Sequence, residues 1–191
     1  MSVRKQISDP DGVYFITFTC ADWLPLFTLN YNIVYTWFNY LKSNGHYIVG
    51  YVIMPNHLHA IIAFRNTGKS INTIVSNGKR FMAYEIVKYL EQKKQVTILA
   101  QLQSLLSATE RKQGKLHKVF ETSFDWKECR TDDFIIQKLN YIHWNPCKAG
   151  LCKLPEDYEY SSAKFYMTGE HAAYKITSYS ELRDVDLTVP Q

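Results

Sequence analysis

Apolar residues in this chain alternate in some stretches and recur at helical spacing in others, and the switches between the two periods mark the elements. Val13-Tyr-Phe-Ile-Thr-Phe-Thr-Cys20 is β-branched and aromatic and predicts a strand. A polar and proline turn over Asp22–Pro25 follows. Leu29–Ser43 then places Ile33, Trp37, Phe38 and Leu41 on one side of a helix, closed by Asn44-Gly45. Tyr47-Ile-Val-Gly-Tyr-Val-Ile53 and His57-Leu-His-Ala-Ile-Ile-Ala-Phe64 predict two more strands. The short Met54-Pro55-Asn56 break between them implies an antiparallel pair. After a turn at Asn66–Lys69, Ser70 can cap a helix running to about Gln92, with Ile74, Phe81, Ile86 and Leu90 as its apolar positions.

Lys93–His117 is polar and lysine-rich apart from an apolar patch at Leu102–Leu106, and reads as a further helix or a mobile excursion. Val119–Phe124 predicts a fourth strand. Thr131 caps a helix that must end before Pro146, because proline disfavours helical geometry at the preceding residue. Beyond Leu151 there is little period, and this stretch is expected to pack over the domain surface. The order strand, helix, strand, strand, helix, strand, helix predicts an α+β fold: a ferredoxin-like antiparallel sheet with helices packed on it. We expect one domain over 1–191, with a core at about 13–151 and a C-terminal extension at 152–191.

Composition narrows the class. The 191 residues are 46% hydrophobic and 21% charged, which suits a globular chain with a real core. No run approaches the roughly 20 apolar residues that span a bilayer, and Met1–Asp11 lacks the apolar segment of a signal peptide. No membrane partner and a cytoplasmic location are the expectations. Cys20, Cys129, Cys147 and Cys152 have neither zinc-site spacing nor the density of a disulfide scaffold, and read as free thiols. A net charge of +4 permits a phosphate-rich partner without requiring one.

Two constellations carry chemistry. His57 and His59 are two apart on a strand, so both imidazoles project from one face and form half a metal site. Two unrelated histidines on a half-exposed strand would read the same way. On the last helix, Ile135, Leu139 and Ile142 form the buried stripe, while Gln137, Lys138, Tyr141 and Asn145 share the neighbouring face. If that face lies over the histidine strand, the Asn145 carbonyl becomes a third ligand and the Tyr141 hydroxyl comes within reach of a metal-held phosphate. A phenol, with a pKa of about 10, needs such help to act as a nucleophile at neutral pH. Tyr141 can equally be one more packed aromatic.

Together the two segments point to a family. Tyr51-Val-Ile-Met-Pro-Asn-His-Leu-His-Ala60 resembles the His-hydrophobe-His motif of the HUH single-tyrosine transposases. Tyr141-Ile-His-Trp-Asn-Pro-Cys-Lys-Ala-Gly-Leu151 resembles the tyrosine helix of their REP-associated branch. The resemblance covers roughly 13–151. It implies a ferredoxin-like fold and a transposase that cleaves single-stranded DNA, often at hairpin-forming repeats, with Mg2+ or Mn2+. It further implies a tyrosine linked to the 5′-phosphate and a freed 3′-hydroxyl. Carried over, Tyr141 is the nucleophile, and His57, His59 and Asn145 hold the metal. The REP-associated branch is expected to act with its tyrosine in cis, insertion-sequence relatives as dimers in trans, so a monomer and a homodimer both stay open. Cys147 departs from the aliphatic residue usual in the family.

Lys79 and Arg80, adjacent in the family-like helix, and Lys138, beside the tyrosine, are the candidate DNA contacts. Lys88, Lys93, Lys94, Arg111, Lys112 and Lys115 are further basic candidates. His143 lies off the Tyr141–Asn145 line and reads as structural. Two other readings stand beside the nuclease. One is a non-cutting binder of structured nucleic acid derived from a transposase. The other is a zinc hydrolase, which leaves Tyr141 and Asn145 unexplained.

Overall fold

The first strand, β1 (Gly12–Thr19), buries Tyr14, Ile16 and Phe18 on one face and turns Phe15 and Thr17 to the other. This period-two division of a sheet covered on both sides organises the molecule. The computed structural model describes residues 6–189; the first five residues of the polar stretch Met1–Asp11 lie outside them. β1 pairs antiparallel with β3 (His57–Phe64), and β3 with β2 (Tyr47–Ile53). The sheet order is β2-β3-β1-β4, with β4 at Asp125–Glu128. That order, with α1 (Asn32–Ser43) between β1 and β2 and α2 (Ile71–Gln92) between β3 and β4, is the ferredoxin-like split βαβ arrangement.

Helices α1 and α2 cover the Tyr14–Ile16–Phe18 face. The opposite face, with Phe15, Val49, Ile61 and Ala63, receives α5 (Asp132–His143) through Ile135, Leu139 and Ile142. Two glycines permit these close approaches. A Cβ on Gly50 of β2 would lie 2.4 Å from Leu139 Cδ2, and one on Gly78 of α2 would lie 2.2 Å from the Trp37 ring nitrogen. Gly50 therefore sets how tightly α5 seats on the sheet.

Several elements differ from the sequence expectation. The predicted strand Val119–Phe124 reduces to a single bridge, Cys20 with Phe120. Phe120 serves the core instead, its ring 5.4 Å from Phe18 and 5.7 Å from Phe27. The true fourth strand follows it and is charged, as suits a sheet edge. The helix expected from Leu29 begins at Asn32, after a 3-10 turn at Leu26–Leu29. Phe81 lies on the solvent side of α2, whose buried stripe is Ile71, Ile74, Val75, Gly78, Lys79, Met82, Ile86 and Leu90. The lysine-rich stretch holds two helices, α3 (Val96–Ser104), which buries Leu102, and α4 (Ala108–Lys112), which begins with a Ser107–Glu110 capping box.

The chain beyond Leu151 does more than drape over the surface. It lies along the outer edge of β2, where Ile53 N–H donates to Tyr160, Ser162 N–H to Tyr51 and Thr177 N–H to Ile48. Tyr158, Ala163, Tyr174 and Ile176 are buried there, and α7 (Ala163–Thr168) belongs to this cover. Among the described residues, no helix is long and apolar enough to cross a membrane.

Candidate active site

Tyr141 reaches the histidines because α5 is held at both ends. Thr131 caps its start, its hydroxyl accepting from the Phe134 N–H at 3.2 Å. At the other end, His143 is buried, with its Nε2 2.9 Å from Ser162 Oγ, which in turn accepts from the Tyr51 N–H at 2.9 Å. Burial lowers the His143 pKa to about 4, so the ring is neutral; it ties the helix to β2 and its tail cover. α5 ends at His143, before the proline as expected. A further turn, α6 (Asn145–Lys148), begins at once with Pro146 in its first turn, where the missing N–H costs nothing. Trp144 N–H donates to Asn140 and Lys148 N–H to Trp144, so the chain stays helical through the junction, and Asn145 lines the same cleft as Tyr141.

On the sheet side, His57 stands opposite Thr19 and His59 opposite Thr17. The two imidazole centroids are 4.7 Å apart. Each ring has one nitrogen engaged: His57 Nδ1 lies 2.7 Å from Asn56 Oδ1, and His59 Nδ1 lies 2.6 Å from Thr17 Oγ1. With the proton on Nδ1 donated to these oxygens, Nε2 of each ring keeps its lone pair, as a metal-ligating histidine requires. Burial lowers both pKa values; for His59, His57 and Lys138 add to the effect and bring it to about 3. Both rings are therefore neutral near pH 7.

These groups line one cleft of about 580 Å³, in which His57, His59, Tyr141 and Asn145 meet Thr17, Thr19, Trp23, Glu121, Ser123 and Asp125. Tyr141 is 45% exposed, and its ring centre lies 5.4 Å from that of His59 and 6.0 Å from that of Phe15. Among the described residues no three His, Cys, Asp or Glu side chains group as a metal site. A metal here would thus draw its further ligands from an amide such as Asn145, from water or from substrate. Two neutral imidazoles plus an amide oxygen, with coordination positions left over, suit a catalytic divalent cation better than a closed structural zinc.

The basic candidates separate. Lys138 Nζ lies 5.2 Å from the Phe15 ring centre and 5.9 Å from that of Tyr141. Arg80 is exposed on α2. Lys79 is corrected: it is only 8% exposed, and its ammonium donates to the carbonyls of Glu121, Thr122 and Ser123 at 2.6, 3.5 and 3.0 Å. It pins the segment beside the cleft and is not placed to hold a phosphate.

Two residues escaped the sequence reading. Lys148 Nζ lies 5.9 Å from the Tyr141 ring centre. Its spacing of seven from Tyr141 was the available signal, since i+7 shares a helix face. Trp23, 65% exposed, stands 5.9 Å from the His57 ring, and both it and Asp22 hold left-handed backbone, φ 55° and 54°. Non-glycine residues adopt that conformation at a cost, often at functional sites. No periodicity announces it.

No protein-family model and no curated protein sequence matches the chain. Solved structures resemble it. One is a REP-associated tyrosine transposase bound to a REP hairpin, with TM-score 0.64 at 17% identity over 95% of this chain and 96% of that one. Another is a candidate transposase from Deinococcus radiodurans R1, with TM-score 0.44 at 14% identity over 74% of this chain and 95% of that one. At 17% identity the first likeness is one of fold, and it extends through the C-terminal cover as well as the sheet.

Proposed function

We propose that this chain is a transposase-like nuclease of the REP-associated tyrosine kind, cleaving and rejoining single-stranded DNA at hairpin-forming repeats. The observation that carries the reading is the meeting of His57, His59, Tyr141 and Asn145 in one cleft. Two sequence motifs far apart in the chain converge where the chemistry needs them. The fold likeness to a transposase bound to a REP hairpin supports the choice of DNA and of a hairpin.

In this reading the Tyr141 hydroxyl oxygen attacks the phosphorus of a DNA phosphodiester. The new bond is tyrosine oxygen to phosphorus. The bond that breaks joins phosphorus to the 3′-oxygen, which leaves, takes a proton from solvent and ends as a free 3′-hydroxyl. The 5′-phosphate stays on Tyr141, and the phenol proton passes to solvent. Reversal by another 3′-hydroxyl rejoins strands. His57 and His59, with Asn145, would hold Mg2+ or Mn2+, which when bound offsets charge on a non-bridging phosphate oxygen. Asn56 and Thr17 fix the two imidazoles. Lys138 and Lys148, each with its ammonium 5.9 Å from the Tyr141 ring centre, add positive charge where the phosphoryl group gains negative charge. Trp23 offers an aromatic face beside His57 for an unpaired base. Tyrosine and histidines of one chain share the cleft, which favours cleavage in cis by a monomer over a dimer with exchanged tyrosines.

The test is incubation with labelled single-stranded hairpin DNA and Mn2+, resolved on a denaturing gel. A slow-migrating adduct that is lost in Tyr141→Phe and abolished by chelator supports the nuclease. Tight hairpin binding with no adduct across a varied hairpin library would replace it with the non-cutting binder.

A further inference from the structure

Beside the cleft lies a second groove, of about 800 Å³, between α2 and the strap formed by residues 113–122. Its floor is apolar, with buried Val119 and Phe120 and half-buried Ala83 and Val87. Two large side chains stand out on its opposite walls, Tyr84 on α2 at 68% exposure and Leu116 on the strap at 69%. Exposed apolar side chains gathered in one groove mark a binding surface more often than chance exposure does.

Charge selects the occupant. Four lysine and arginine side chains line the groove against two glutamates, Glu91 and Glu121. Glu121 already pairs with Lys118 at 3.0 Å, and Lys115 with Glu110 at 2.7 Å. Arg80 and Lys88 make no ion pair among the described residues. Arg80, Tyr84 and Lys88 stand at i, i+4 and i+8 on α2, each about 6 Å beyond the last along the helix. Cation, aromatic ring and cation in a row match the order phosphate, base, phosphate of an unstacked strand. An acidic peptide would answer the cations but leaves the ring between them without a role.

The groove borders the cleft. Glu121 lines both, Thr122 lines the groove and Ser123 the cleft, so residues 121–123 form the ridge between them. The Lys79 ammonium grips the carbonyls of these three residues and fixes that ridge. On the single-strand DNA reading of the cleft, we infer that this groove is a subsite for the unpaired strand flanking the cut, with its phosphates on Arg80 and Lys88 and a base stacked on Tyr84. The hairpin is placed by other surfaces, and the groove measures whether a single-stranded flank is present.

Three fluorescein-labelled DNA probes test this by anisotropy: a hairpin with single-stranded flanks, the same hairpin without flanks, and an unstructured oligothymidylate. Arg80→Ala/Lys88→Ala and Tyr84→Ala change exposed side chains outside the catalytic cleft, and unchanged thermal melting confirms their folding. The expected result is at least a tenfold loss of affinity for the flanked hairpin and for oligothymidylate, with the flankless hairpin bound as by wild type. Equal affinity of wild type and both variants for the flanked hairpin overturns the subsite while leaving the nuclease intact. Wild type that binds none of the probes overturns both. Photocrosslinking with 5-iodouracil placed along the flank locates the strand directly, and adducts mapping to Tyr84 are expected. Crosslinks confined to other surfaces, or a Tyr84 face covered by a second copy of the chain in sedimentation experiments, would overturn the inference.

Discussion

The Tyr141 ring stands edge-on to the His59 imidazole, 5.4 Å between centroids at an interplanar angle of 71°, although the two residues lie on different elements. A neutral metal-ligand candidate and a half-exposed phenol are thereby held together by the packing of α5 on the sheet.

Thr17 holds His59 through the 2.6 Å contact at Nδ1. Thr17→Val keeps the shape of the side chain and removes the hydroxyl. Mn2+ affinity, measured by titration calorimetry, is expected to fall about 10- to 100-fold, the usual cost of losing the group that orients a ligating histidine. Asn56→Ala should do the same through His57, whereas unchanged affinity in both would deny the histidines a metal role.

The two lysines near the Tyr141 ring should matter to rate more than to binding. Lys138→Met and Lys148→Met are each expected to slow single-turnover adduct formation about tenfold, with DNA affinity falling less, because the charge they supply acts as the phosphoryl group becomes more negative. Equal losses in rate and affinity would reduce them to ordinary phosphate contacts.

Lys79→Met separates a structural lysine from a DNA-binding one. It leaves the carbonyls of Glu121, Thr122 and Ser123 without this donor, a loss of about 1–3 kcal/mol and of several degrees in melting temperature. The salt dependence of hairpin binding should stay as in wild type. A shallower salt slope in the variant would instead return Lys79 to the phosphate contacts.

How far these residues were legible in the sequence follows from the physics of each. A period of two put His57 and His59 on one face, and a period of 3.6 aligned Tyr141 with Asn145. Both are local rules, and the sheet and helix obeyed them. Lys148 obeys the same helical rule past Pro146, but a proline that ends one helix and begins another hides the continuity. Lys79 was misread because adjacent basic residues look alike in sequence. The buried stripe of α2 takes up one and leaves Arg80 in solvent. The fourth strand was displaced because Val119 and Phe120 are apolar for the core, while the edge strand Asp125–Glu128 is charged. Trp23 depends on a left-handed backbone turn and on meeting His57 across the fold, and neither leaves a local trace.

Acid should loosen the fold through His46. Burial, with Arg65 contributing, lowers its pKa to about 4, and its Nδ1 accepts the Arg65 N–H at 3.1 Å. The folded chain therefore resists a proton that the unfolded chain takes up near pH 6.5. Stability from this group is fully present above pH 6.5 and is lost as pH falls towards about 4. Melting temperature should drop by several degrees across that window, and less steeply in His46→Gln. An identical slope in that variant would assign the acid sensitivity elsewhere.

The central claim is that Tyr141 becomes joined to DNA. The most direct measurement is peptide mapping by mass spectrometry after reaction with hairpin DNA and Mn2+, followed by protease and nuclease digestion. The account predicts a nucleotide 5′-phosphate on the peptide containing Tyr141, absent when chelator is added. A nucleotide on any other residue, or cleaved DNA with no modified peptide, would contradict it.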